Sequence, residues 1–246
     1  MFADVEQKKE RLDAKKPFPE DVKDCADSLA LLDFAYTNLK LDGSSLTAEG
    51  VNRIIGGDII PGVSLREHNE VEYHRQLLRA FADMLYMGTA IDRKELIRLY
   101  GILTHNPHAA FRSGSPILYH LDYTPPHYAD IPERLDRLFR DLFAHDFGGD
   151  YIRRAVEMHD GIIAVYPFSE RTEALARAAL EYELLRNGMP ITPFGLTEQA
   201  YNEMTAAGVK NDAHDELYDA VLRAADKKLD LLLGLFSAHV FFHFKS

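Results

Sequence analysis

Tyr166, Arg171 and Arg177 fall within one twelve-residue stretch, YPFSERTEALAR, together with two carboxylates, Glu170 and Glu173. A phenol beside guanidinium groups could in principle move a proton or hold an anion. As a base the phenol starts badly, with a reference pKa near ~10 against ~6.5 for an imidazole. Adjacent positive charge, such as Arg171 would supply, has to lower it by several units before it works at neutral pH. The plainer role for Tyr166 is a packed ring with its hydroxyl hydrogen-bonded. The stretch also reads as an ordinary helix start. Ser169 is a suitable N-cap, and Glu170 and Glu173 complement the positive end of a helix dipole. A helix end that satisfies its own donors does not recruit an anion.

Other reactive side chains form weaker patterns. His68 and Glu72 are four apart and share a helix face, but no third or fourth metal ligand can be assigned to them. His239 and His243 have the same spacing on an apolar segment and read as packed histidines. There is no nucleophile elbow, phosphate loop or cysteine-rich zinc pattern. Net charge is −11, from 39 acidic and 28 basic residues. That argues against a general nucleic-acid binder and against an anionic membrane surface. Cys25 stands alone, so no internal disulfide forms, and a reducing compartment such as the cytoplasm is expected. The N-terminal MFADVEQKKERLDAKK has no apolar run of the kind a secretory signal needs. Leu229 to Phe244 is apolar but is interrupted by Asp230, His239 and His243, and is shorter than the ~20 residues of a membrane span.

The elements that must hold these residues are helical. Val22, Cys25, Leu29, Leu32, Ala35, Tyr36 and Leu39 form one stripe, predicting a helix over 21–41. Thr47 caps a short helix to Ile55, and Ser64 caps a long one to about Met87. Asp92 starts another, to about Thr104. Further helices are predicted over 132–143, 150–164, 169–186, 196–207 and 213–242. Ile117 to Tyr123 is the one strand-like segment. The 246 residues are 46% hydrophobic, enough for a substantial core. The expectation is a single domain over 1–246: an N-terminal segment 21–62, a core 63–210 and a C-terminal helix 211–244.

The twelve-residue stretch resembles the signature H-P-F-x-[DE]-G-N-G-R-x-x-R of the Fic (filamentation induced by cyclic AMP) family. Pro167, Phe168, Glu170 and Arg177 match it. Tyr166 replaces the His, Arg171 and Glu173 the glycines, Thr172 the Asn and Ala174 the first Arg. Further matches follow in family order. They are Asn38 to Thr47, Pro61 to His74, Leu99-Tyr100, Phe111-Arg112, Pro125-Pro126, Ile131-Pro132-Glu133, Gly188-Met189-Pro190 and Tyr201. The resemblance spans roughly residues 30 to 235. It implies an all-α, Fic-type helical bundle with one small β-hairpin flap over Arg112 to Pro126.

In working members, the resemblance implies, the loop binds nucleotide phosphates and AMP passes to a hydroxyl of a partner protein. Tyr166 would stand at the catalytic position. Arg171, Thr172 and Arg177 would be the nucleotide or anion contacts, and Glu170 the metal ligand. Asp42 would be the counterpart of an inhibitory Glu that pairs with Arg177. Ile117, Leu118 and Tyr119 would form the flap edge that docks an extended segment. The rewritten loop makes this a degenerate motif, and the first expectation is a pseudoenzyme that acts through protein binding. The alternative is a nucleotidyl- or phosphate-group transferase of altered chemistry using Tyr166, Arg171 and Arg177. No cofactor is expected in the first case; ATP and Mg²⁺ enter only with residual family activity. A protein partner is expected, with no nucleic acid and no membrane, and a homo-oligomer remains open.

Overall fold

A computed structural model describes residues 1–118 and 120–243, with side chains through Phe236. Its elements are α1 (Phe2–Asp13), α2 (Glu20–Leu41), α3 (Ala48–Ile55), α4 (Leu65–Tyr86), α5 (Arg93–Leu103), a 3₁₀ turn (Tyr128–Asp130), α6 (Ile131–Ala144), α7 (Tyr151–Val165), α8 (Thr172–Arg186), α9 (Glu198–Asn211) and α10 (Asp215–His243). Among the described residues no sheet forms, and no helix is long and apolar enough to cross a membrane.

The start signals act as local chemistry dictates. Thr47 Oγ1 accepts from the Gly50 amide at 3.1 Å and Asp92 Oδ1 from Glu95 at 2.8 Å. Ser64 and Glu67 complete a reciprocal capping box. Asp150 Oδ1 accepts from the Arg153 amide and opens α7.

α7 and α8 form the centre, joined by residues 166–171. α8 is buried nearly all round, and its alanines at 174, 176, 178 and 179 let neighbouring helices approach closely. One apolar cluster packs α2, α4, α5 and α6 against this pair through Phe34, Phe81, Leu99 and Phe139. Another packs α1, α9 and α10 against the opposite side through Val5, Tyr201, Val221 and Leu229.

One element goes beyond the sequence reading, and one expectation needs correction. The N-terminal stretch forms α1, with Val5 and Leu12 buried and Lys8 bonded to Asp226 at 2.6 Å and Asp230 at 2.8 Å. Its sparse apolar positions are hidden among charges, so composition alone does not reveal it. Among the described residues the expected hairpin reduces to one antiparallel bridge, Leu118 to Tyr123. Leu118 and Leu121 are both buried, a three-residue spacing that suits a turn and breaks strand alternation. Tyr119 lies outside the described residues, as do the side chains of His239 and His243.

α7, α9 and the start of α10 are stitched by Asp160. Its Oδ1 pairs with His159 Nδ1 at 2.8 Å and its Oδ2 with His214 Nδ1 at 2.6 Å. Gly208 makes room, since a Cβ there would lie 2.2 Å from Asp160 Oδ2. Chiefly through the Asp160 hydrogen bond, the His214 imidazole is raised from 6.5 to about 9. A group raised on folding gives stability that is full below the unfolded value and lost as pH passes the folded one. Urea unfolding is therefore expected to show stability falling between pH 6.5 and about 9. His214→Gln should flatten that fall, and a flat wild-type profile would refute the pairing.

Candidate functional site

The connection 166–171 is held at both ends by residues in left-handed backbone. Tyr166 has φ 46°, ψ 65°, and Arg171 has φ 60°, ψ 15°. Each costs roughly 1–2 kcal/mol in a residue with a Cβ. Between them, Phe168 is buried and stacks on Tyr100 at 3.7 Å between ring centroids. Thr172 Oγ1 accepts from the Phe168 amide at 3.3 Å and lies near its carbonyl at 3.2 Å, tying the loop to itself.

Ser169 does not cap α8. The helix begins only at Thr172, after left-handed Arg171, with no side-chain cap at that position. Negative charge at this helix end comes instead from Glu173. Its carboxylate accepts from Tyr166 Oη at 2.9 and 3.1 Å and pairs with His120 Nε2 at 2.9 Å. Burial opposes ionisation of Glu173, but these bonds and its own backbone amide hold it below its ordinary value. Burial and the Glu173 charge both push the Tyr166 phenol up, so it stays protonated. A neutral donor aimed at a carboxylate is the reverse of a general base.

Arg112 ties this loop to the segment that carries the bridge. Its Nε donates to the Tyr166 carbonyl at 2.7 Å, and its terminal nitrogens donate to Gly114 at 2.7 Å and Pro126 at 2.6 Å. Tyr123 Oη donates to the Ala164 carbonyl at 3.0 Å. His120 and Arg112 thus fix the segment over Tyr166 and Glu173.

One turn further along α8, Arg177 is 1% exposed. Its Nε donates to Asn38 Oδ1 at 2.8 Å and a terminal nitrogen to Asp42 Oδ1 at 2.5 Å. The second Asp42 oxygen accepts from Arg171 at 2.7 Å, and Arg171 also pairs with Glu70. Burial works against the Asp42 carboxylate, but Arg177 and Arg171 keep it ionised, below its usual range. His74, beneath this network, is pushed down to about 4 by burial, and its Nε2 has no hydrogen-bond partner among the described residues.

The residues read from sequence therefore divide into two groups. Asp42, Arg171 and Arg177 meet in one ion network. Tyr166 belongs to a second, with Glu173 and His120. Thr172 turns into the loop, and Glu170 is exposed. Ile117 is exposed, whereas Leu118 is buried. Glu70, Arg112 and His120 had no functional reading. Glu70 lies in a helical segment of alternating charges, and its link to Arg171 joins residues far apart in sequence. No group of three or more His, Cys, Asp or Glu side chains among the described residues could hold a metal ion. The residues present do not fit a Mg²⁺–nucleotide. Glu170 offers one carboxylate, and the side chains of Arg171 and Glu173 occupy the glycine positions of a phosphate cradle.

No family model matches the chain. It is 25% identical over 185 residues to protein adenylyltransferase fic-1 of Caenorhabditis elegans, covering 72% of this chain and 36% of that protein. The chain thus spans about a third of the length of that curated relative. The solved structure of Fic-1 from C. elegans (residues 134–508) has a TM-score of 0.75 at 18% identity, covering 97% of this chain and 72% of that one. A Fic-domain-containing signaling protein of Bacteroides thetaiotaomicron gives 0.77 at 14% identity, covering 94% and 97%. The chain has the Fic fold and resembles Fic-domain proteins in sequence.

Two outcomes follow from this geometry. Arg171→Ala and Arg171→Gly lose the same ion pairs, but glycine also relieves the left-handed strain. Arg171→Gly is expected to unfold at higher urea than Arg171→Ala, by about 1 kcal/mol. Equal stabilities would show the strain to be absent. Asp42→Ala leaves a buried guanidinium without its carboxylate and is expected to cost about 3 kcal/mol. A loss below ~1 kcal/mol, the range of an exposed pair, would show that Asp42 and Arg177 are solvated charges.

Proposed function

We propose that this chain is a Fic-fold pseudoenzyme that lacks AMP transfer and acts by binding another protein. One observation carries the reading: the Glu173 carboxylate sits at the N-terminus of α8, held by Tyr166 and His120. In the family that helix end receives phosphate. A fixed carboxylate there repels the anion, and the phenol opposite is a donor where a base is required. Asp42 and Glu70 further engage the two arginines that would meet a nucleotide. The proposed binding surface is the segment over the loop, where Ile117 is exposed. The proposed setting is the cytoplasm, in keeping with the single free Cys25.

A second reading, a transferase of altered chemistry built on Tyr166, Arg171 and Arg177, draws support from one feature. Left-handed Arg171 keeps the loop in the backbone conformation a glycine would take.

Calorimetric titration of ATP, with and without Mg²⁺, tests the first reading. Wild type should give no saturable heat and no transfer of labelled AMP to itself or to added protein. Gain of ATP binding is expected only when Tyr166→His, Arg171→Gly, Thr172→Asn, Glu173→Gly and Ala174→Arg are combined. Micromolar binding of ATP by wild type would overturn the pseudoenzyme reading. Binding of another nucleotide, lost in Arg171→Gln, would establish the second.

A further inference from the structure

A cavity of about 440 Å³ opens between α2, the 193–196 loop and α10, away from the loop 166–171. Its charge is opposite to that of the whole protein. Arg223, Lys227 and Lys228 line it against one carboxylate, Asp33, in a chain of net charge −11. Lys228 is 4% exposed, and its ammonium gives a 2.6 Å hydrogen bond to Asp33 Oδ2. An ammonium has three donors, and Asp33 is its one acceptor among the described residues. Arg223 and Lys227 are exposed, one turn apart on α10, with no carboxylate in ion-pair distance among the described residues. Behind the floor, burial pushes Glu181 up to about 8, so at neutral pH it leaves most of the Lys228 charge to Asp33.

The remaining walls are apolar: Pro193, Leu196, Ala220 and Ala224. The small side chains of Ala220 and Ala224, one turn apart, leave the volume open beside Lys228. Three cations lining an apolar cleft of this size suit an organic anion whose charged head meets Lys228, Arg223 and Lys227.

We propose that this cavity binds an organic phosphomonoester, its phosphate held by Lys228, Arg223 and Lys227 and its apolar body on the Pro193–Leu196 loop. The site is independent of the reading of the 166–177 stretch, because it shares no residue with it. The bound phosphate competes with Asp33 for Lys228.

The test is titration of phenyl phosphate into the full chain, followed by calorimetry. Saturable binding with a Kd below ~1 mM is expected. The double variant Arg223→Gln, Lys227→Gln removes two exposed charges without touching the core and should weaken binding by about tenfold or more. Arg171→Gln should leave binding unchanged, and inorganic phosphate should bind about tenfold more weakly for want of the apolar contact. A phosphoserine heptapeptide run alongside separates the two carriers of this chemistry. Saturation by either supports the site, and the tighter one identifies the carrier. Absence of saturation to ~10 mM, or loss in Arg171→Gln with none in the double variant, would overturn the proposal.

Discussion

The buried guanidinium of Arg177 is the constraint on which the site end of the molecule depends. Removing such a charge from water costs several kcal/mol unless it is paired and hydrogen-bonded. Asn38 and Asp42, one turn apart at the end of α2, meet that requirement together. The Tyr201 ring covers the guanidinium at 5.1 Å and brings in α9. Asp42 gives its other oxygen to Arg171, which reaches Glu70 on α4. One carboxylate thereby joins α2 and the α7–α8 connection to the side chains of α4 and α8.

The connection can hold two left-handed residues because both are anchored from outside it. Arg171 is fixed by Asp42 and Glu70. Tyr166 is fixed by Glu173 through its hydroxyl and by Arg112 through its carbonyl. The Arg171 side chain thus also stabilises the left-handed backbone it occupies. The result is an internally neutralised junction.

Much of this was legible in sequence where the cause is local. The caps at Thr47, Ser64, Asp92 and Asp150 stand next to the amides they satisfy, and the helix stripes of α2 and α4 follow from a period of 3.6 residues. The Ser169 cap failed because Arg171 turns left-handed and delays the helix to Thr172, a choice imposed by Asp42 and Glu70 from other helices. The hairpin failed because Leu118 and Leu121 are drawn into the core three residues apart. α1 was missed because its few apolar residues gain their meaning only against α10. At the site, the family signature put Asp42 near Arg177, whereas Glu70 and His120 carry no signal except their charge.

On the proposed pseudoenzyme reading, the two networks mean that no single substitution is expected to open the cleft to an anion. Deleting the Glu173 carboxylate removes the repulsion at α8, but it leaves the Tyr166 hydroxyl and His120 without their acceptor. Arg171 remains bound to Asp42 and Glu70. Deleting Asp42 exposes the guanidiniums to competition from a ligand, yet Arg177 then loses the charge that makes its burial tolerable. Asp42 neutralises the two arginines, and Glu173 is the acceptor for Tyr166 and His120. On the same reading, a phosphate site is expected only when cations, carboxylates and glycine-like backbone change together. Singly changed intermediates carry unpaired buried charge and are destabilised along the way.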